Sequence, residues 1–359
     1  MPYLTIRKPH SRPGRPARVT RLLAAFTFAA ALTTACSGPG GVDLGHDWKR
    51  ASTFALAKVD GLVTVVGINP EKPEAQSLVV VPQQADDDDA VSPHIAHLAD
   101  GRWILTVPRK NGKPDRRYEI NRSEHTLDAL TGDERLSRTL PGSSLLAEVA
   151  GLPDGKSPSG EPESSVLVKN PNGWTTTRKL KIPGTIDFAA SDSASDTICL
   201  GSSSNSATKV STVNLADGSI NFAPVPAGLT VGGLACPAGH PVIAGSPARG
   251  TADEVSVALT RHPAATAITV DGGRLDAIAA THSSLVIAAA QGNDTELVEV
   301  NAATGQELHR ARIKDLAASL NITHTASGWL VYAEDTVTRV NLTTGKTRQF
   351  ALPGPLLAS

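Results

Sequence analysis

Val300-Asn301-Ala302-Ala303-Thr304-Gly305-Gln306 returns as Val340-Asn341-Leu342-Thr343-Thr344-Gly345-Lys346, and stands earlier as Val213-Asn214-Leu215-Ala216-Asp217-Gly218-Ser219. In each string an alternating apolar strand runs into a tight turn whose glycine can take a positive φ, and a second strand follows. The Asn and Asp side chains of such turns bond to nearby backbone. Degraded copies lie at Val257-Ala258-Leu259-Thr260 and Val168-Lys169-Asn170-Pro171-Asn172-Gly173, and weaker ones at Glu119-Ile120-Asn121 and Val80-Val81-Pro82. The anchors Val80, Ile120, Val168, Val213, Val257, Val300 and Val340 are spaced by 40, 48, 45, 44, 43 and 40 residues. A period of about 43 is that of a four-stranded propeller blade.

Working outward, each turn has an apolar strand upstream of it: Leu62-Val66, Trp103-Val107, Ile198-Leu200, Val242-Ala244, Leu285-Ala288 and Trp329-Tyr332. These read as second strands of blades. The third unit is the poorest, with Leu146-Val149 followed by a Pro, Gly and Ser rich excursion from Leu152 to Ser164 that reads as an insertion loop. No long segment with a 3.6-residue apolar period stands beyond the first 35 residues, which excludes an α/β architecture, and fixed periodicity argues against paired sandwiches. The expected fold is all-β, a seven-bladed β-propeller. Each blade is read as one contiguous stretch, from near Ser52 to near Leu352. The turn strings resemble those of bacterial propellers of the broad PQQ-like and YVTN repeat class. The quinoprotein pattern has a Trp after the glycine; Gln306 and Lys346 stand there instead, and no cofactor is expected.

The chain has 359 residues, with 34 Lys plus Arg against 35 Asp plus Glu, and 31 Gly and 25 Pro, which excludes collagen and wholesale disorder. A formal charge of -1 with no basic stripe beyond the first two dozen residues argues against a nucleic-acid partner. Those first residues are an address. Arg7, Lys8, Arg12, Arg15, Arg18 and Arg21 precede an apolar run of 14 residues from Leu22 to Ala35. That run is shorter than the ~20 residues a membrane span needs and has the layout of a secretory signal. Its end, Leu32-Thr33-Thr34-Ala35-Cys36, resembles the lipobox of bacterial lipoproteins, which implies lipidation of Cys36. The organisation expected is a signal peptide over 1–35, a lipidated cysteine and flexible tether over 36–51, and the propeller over 52–359. Losing residues 1–35 removes six basic residues and no acidic one, so 28 basic and 35 acidic remain, a balance of -7. Lipid, not a basic patch, would then hold the protein to the extracytoplasmic face of the cell membrane.

Two further cysteines, Cys199 and Cys236, form an even number in an oxidising compartment and read as a disulfide, the alternative being two buried thiols. Neither stands in a CxxC or Cys/His pattern, so no metal site is expected. Propellers gather ligand groups at the mouth of the central channel. Asp187, Asp276 and Asn321 fall near the starts of innermost strands in units four, six and seven, where three oxygens suit a cation or a hydroxylated ligand. His97, His282 and His324 fall at the other ends of such strands, as solvent-facing turn histidines or, if clustered, as a group that binds a transition metal or titrates near neutral pH. Asp86-Asp87-Asp88-Asp89 lacks the alternation of a calcium loop and reads as a solvated loop. No Gly-x-Ser-x-Gly elbow, Walker loop or dinucleotide fingerprint is present. The expected function is a non-catalytic binding or scaffold propeller for an envelope protein or polymer. The alternative is a lactonase-like hydrolase or quinone-dependent dehydrogenase working at the channel mouth.

Overall fold

The computed structural model describes residues 42–82, 93–109, 113–130, 138–150, 153–158, 160–204, 207–247, 254–259, 270–271, 273–316 and 321–359. Residues 1–35, Cys36 and the acidic run at 86–89 lie outside these residues. Seven antiparallel sheets follow one another, and their innermost strands lie side by side around a common axis. Those strands are Leu356–Ala358, His94–His97, Arg138–Pro141, Thr185–Ser191, Leu229–Ala235, Arg274–Ala280 and Asn321–Thr325, for blades 1 to 7. Blade 6 shows the plan outward from the axis: Arg274–Ala280, Ser284–Gln291, Asp294–Asn301 and Glu307–Ile313. The chain is a seven-bladed β-propeller.

The turns that announce the repeat join the third and fourth strands of a blade. At the end of the third strand the Oδ1 of an asparagine accepts N–H groups two or three residues on. Asn69, Asn121, Asn170, Asn214, Asn301 and Asn341 do this in six blades, at 2.8–3.3 Å. Four residues after the asparagine the backbone turns left-handed, at Gly218 (φ 80), Gly305 (φ 73) and Gly345 (φ 67). Blades 2 and 3 place His125 (φ 62) and Trp174 (φ 56) there instead. The strain of a Cβ at positive φ is offset by packing: His125 stacks on Trp48 at 5.5 Å, and Trp174 lies against the cluster of Leu98, Ile104 and Leu146.

The first blade departs from the expected phase. Its inner strand comes from the far end of the chain, with Leu56 opposite Ala358 and Ala57 opposite Leu356. The Lys58 N–H also donates to the Pro355 carbonyl at 2.8 Å. The blade is therefore discontinuous, not one contiguous stretch, and everything near the N-terminus moves one strand outward. Leu62–Asn69 is a third strand, and Val80 ends the fourth. The other six anchors lie on third strands, and their counterpart in blade 1 is Ile68, just before Asn69, rather than Val80. Residues 36–51 also divide. Val42, Trp48 and Ala51 are buried against the ring, so packed chain begins no later than Val42. In blade 3 the excursion is in part strand: Gly155–Lys156 pairs with Glu163 and Pro162 at the head of the third strand, Pro162–Asn170.

Side chains alternate between the two neighbouring blades, so each pair of blades encloses a core. Six of these are apolar, for example Phe54, Leu56, Trp103 and Tyr118 between blades 1 and 2, or Leu285, Ile287, Val298 and Val257 between blades 5 and 6. Between blades 2 and 3 the buried apolar cluster shrinks to Leu98, Ile104 and Leu146. Much of the rest of that core is polar, with Thr106 and Thr139 hydroxyl to hydroxyl and a buried group of charges. Glu148 Oε1 meets Arg117 Nη1 at 2.9 Å and Oε2 meets Lys169 Nζ at 2.7 Å, with all three side chains at most 3 % exposed.

Blades 4 and 5 are joined covalently by Cys199–Cys236, Cα atoms 5.6 Å apart, the disulfide expected from the sequence. Asp192 reinforces this region, its carboxylate accepting the N–H of Ala194 in its own turn and of Ala238 in blade 5. Closing a loop of this length contributes about 4 kcal/mol on the chain-entropy account. Reduction, or Cys199→Ser with Cys236→Ser, is expected to lower the denaturation midpoint correspondingly. Identical midpoints with and without reductant would refute this.

Candidate functional site

Each inner strand pairs with another strand on one side only, so its other backbone edge faces the channel. The two ends of that channel differ. At the start face, where the inner strands begin, polar groups gather. Asp187 and Asp276 both sit at β-bulges, between Ile186 and Phe188 and between Leu275 and Ala277, at matching levels of blades 4 and 6. Each has a cation for company: Asp276 meets Arg274 at 3.3 Å, and Asp187 lies in the field of Arg138 on the neighbouring inner strand. Asn321 has another task. Its Nδ2 donates to the carbonyl of Ser359 at 2.6 Å and to the hydroxyl at 3.0 Å, so it clasps the closing strand. The three residues thus share a face, but none of the hydrogen bonds or ion pairs described for them joins one to another.

At the opposite, turn face the channel opens into a cavity of about 300 Å³. Its wall is the last few residues of the inner strands of blades 2 to 6, small or apolar at Ala189, Ala190, Leu234, Ile278 and Ala279. Asp187, Asp276 and Asn321 do not line it. Polar side chains enter at few points. His94 donates from Nε2 to the Thr139 carbonyl at 3.0 Å, and burial takes its pKa down to about 4. The imidazole is neutral at physiological pH and its Nδ1 carries the lone pair.

His97 and His324 occupy equivalent places, each directly opposite a buried tryptophan on the second strand. His97 stacks on Trp103 at 4.3 Å and His324 meets Trp329 edge-on at 4.8 Å, and burial lowers the pKa of both. His282, two residues beyond Ala280 of the cavity wall, is held differently. Its Nδ1 donates to Asp192 Oδ2 at 2.9 Å, and its side chain is 65 % exposed. Among the described residues no group of three or more His, Cys, Asp and Glu side chains is placed to hold a metal.

His94 predicts an acid response. A histidine whose folded pKa lies below its unfolded value of about 6.5 takes up its proton more readily in the unfolded chain. Its contribution is therefore intact above pH 6.5 and lost as pH falls toward 4. The loss reaches about 3 kcal/mol at most, from 1.36 kcal/mol per unit. His94→Gln is expected to flatten the fall in melting temperature between pH 7 and 4.5; a fall as steep as in the parent would refute the assignment.

His94 and Asp192 are not legible as site residues in the sequence. His94 opens the short strand that ends in His97, and Asp192 is one of several acids in Ser191-Asp192-Ser193-Ala194-Ser195-Asp196. No signal short of three-dimensional pairing separates Asp192 from Asp196, which binds Ser144 and Leu145 of blade 3 instead.

No protein-family model matches the sequence, and no curated relative matches it. Solved structures do match. The periplasmic gluconolactonase PpgL of Pseudomonas aeruginosa superposes with a TM-score of 0.54 at 14 % identity, over 84 % of this chain and 97 % of that one. The Pan2 WD40 domain of Neurospora crassa gives 0.52 at 10 % identity, over 77 % and 85 %. The acylaminoacyl peptidase of Pyrococcus horikoshii gives 0.51 at 10 %, over 83 % of this chain but only 52 % of that one. The likeness is one of fold. It spans a WD40 domain and two enzymes, so architecture alone leaves the activity open.

Proposed function

We propose that this protein is an extracytoplasmic lipoprotein, anchored through Cys36, whose propeller is a non-catalytic binding platform for an envelope protein or polymer. The observation that carries this reading is the inequality of the two faces. The turn face repeats one short Asn-led turn in six blades. On the start face the connections between second and third strands range from two residues in blades 1, 4 and 6 to 108–115 in blade 2 and 150–161 in blade 3. Loops held by a rigid scaffold are where specificity accumulates. Arg109, Lys110, Lys113 and Lys156 lie in those two connections together with Asp115, Asp154 and Glu161, so these loops carry charge of both signs. The partner, an envelope protein or polymer, is accordingly met over blades 2 and 3.

Crosslinking in intact cells, followed by purification and mass spectrometry, tests this, with the same material analysed for lipid on Cys36 and for metals and quinones. A reproducible neighbour crosslinked through residues 108–115 or 150–161 supports the platform. No reproducible neighbour, or crosslinks confined to the turn face, overturns it.

A second reading draws on the bulges at Asp187 and Asp276. Bulges re-aim side chains beside active sites, and two carboxylates at one level of a channel suit a hydrolase of lactone or ester substrates. The cations beside both carboxylates favour simple charge neutralisation. Turnover of a lactone by the parent and its loss in Asp187→Asn would reverse that preference.

A further inference from the structure

Blades 7 and 1 meet where the described chain begins. Val42 lies in the core between them with Val337, against Phe350 and Ala75, and Gly45 donates its N–H to the Ser77 carbonyl on the outer strand of blade 1 at 2.7 Å. Only residues 37–41 separate Val42 from Cys36, and that length of chain reaches about 20 Å when fully extended. A lipid on Cys36, as proposed above, therefore keeps this seam beside the membrane.

The seam is basic. On the third and outer strands of blade 7, Val337 stands opposite Phe350, Arg339 opposite Arg348 and Asn341 opposite Lys346. Val337 and Phe350 pack toward blade 1, so by alternation the two arginines and Lys346 turn to the same side. Like charges directly opposite each other on a sheet repel. Arg339 donates to the Pro70 carbonyl of blade 1 at 2.8 Å, and among the described residues no ion pair engages Arg339, Lys346 or Arg348. By contrast, Lys181 on the outer strand of blade 3 meets Asp154, and Arg310 and Arg312 on that of blade 6 meet Glu296 and Asp294. Glu74 of blade 1 lines a groove with Asp47 and Arg50, on the other side of its strand from Ala75. With Asp43, Glu71 and Lys72 included, four bases stand at the seam against two acids, on a chain whose residues 36–359 are acidic overall.

We propose that this rim rests on anionic phospholipid headgroups of the membrane that carries the Cys36 lipid, so that the disc stands edge-on with both channel mouths open to the side. The lipid holds the protein and the rim orients it. Each cation at an anionic surface favours the contact about fivefold, and the acidic remainder is repelled. Blade 4, across the ring, lies farthest from the membrane.

The chain from Cys36 onward holds the whole ring, and with Cys199 and Cys236 joined its remaining thiol is Cys36. Coupled through that thiol to maleimide lipid in vesicles, it receives a brief pulse of N-hydroxysuccinimidyl acetate, and acetylation is read at Lys346 and at Lys209, an exposed lysine of blade 4. Labelling of Lys346 is expected to be about fivefold lower on equal parts phosphatidylglycerol and phosphatidylcholine than on phosphatidylcholine alone, with Lys209 unchanged and the difference lost at high salt. Arg348→Glu should remove the difference. It places a carboxylate opposite Arg339 and should not lower the melting temperature, so its effect is not that of a damaged fold. Lys346 labelled equally on both vesicles, protection of Lys209 instead, or protection indifferent to salt or to Arg348→Glu overturns the proposal. Chemical coupling makes these outcomes independent of whether cells lipidate Cys36, which the mass of the Cys36 peptide from cell-derived protein decides separately.

Discussion

A chain cut after Leu352 is expected to lose its cooperative unfolding transition. The seven residues removed include Leu356–Ala358, the inner strand of blade 1. Leu356 packs into the core between blades 7 and 1, and Leu357 and Ala358 into that between blades 1 and 2. Fully buried apolar side chains contribute about 1.5–3 kcal/mol each, so these partly buried ones contribute on the order of 5 kcal/mol together. That is comparable to the whole stability of a marginal domain, and the cut also bares the edge of Thr53–Val59. Gly354→Val reaches the same end within the full chain. A Cβ there would stand 2.3 Å from the Lys58 carbonyl oxygen and 3.0 Å from its carbon, and backbone on both sides cannot yield. Gly345→Ala is the contrast, with nothing within 4 Å and only the cost of its positive φ, about 1 kcal/mol. Circular dichroism melts and hydrogen exchange at Thr53–Val59 distinguish the cases. A Gly354→Val protein melting within a few degrees of Gly345→Ala would refute the clasp.

What the sequence disclosed follows from how local each interaction is. The Asn301 and Gly305 pair is legible because the side chain that makes the turn and the backbone that needs it lie within five residues. Closure was illegible for the opposite reason. Ala358 and Leu56 meet only after every intervening blade has formed, and nothing in Leu356-Leu357-Ala358 marks it as the missing strand of Thr53–Val59. The phase error at Val80 is the same blindness at the other end of the chain. For the candidate site, Asp187 and Asp276 were placed at inner-strand starts by counting from the turns, and they do lie there, at bulges. The cavity left no such trace, since alanines and strand edges look in sequence like any strand. His282 was visible as a turn histidine, while its bond to Asp192, two blades away, was not.

The seam between blades 2 and 3 yields the other large effect: Glu148→Gln is expected to cost 3–5 kcal/mol. The amide keeps the shape and removes the charge that Arg117 and Lys169 share at this seam, weakening both ion pairs where water does not replace them. Both cations sit in strands where hydration cannot reach them, Arg117 at 2 % and Lys169 at 3 % side-chain exposure. The cost belongs to the broken triad and not to the worth of the intact one, because removing two cations and a carboxylate from water was itself expensive. The replacement Arg117→Met, Glu148→Leu, Lys169→Met separates the two quantities. If the seam follows the chemistry of the other six cores, this triple variant regains most of what Glu148→Gln lost, as measured by denaturant midpoint. The neighbouring hydrogen bond between the Thr106 and Thr139 hydroxyls, at 3.3 Å, stays in place and marks whether the blades still meet. A Glu148→Gln variant within about 1 kcal/mol of the parent would mean that the charges are not confined as the packing implies. A triple variant no more stable than Glu148→Gln would mean that the ion triad fixes the register of blades 2 and 3 in a way apolar groups cannot. In that case the platform's longest connections, at 108–115 and 150–161, owe their relative placement to Glu148.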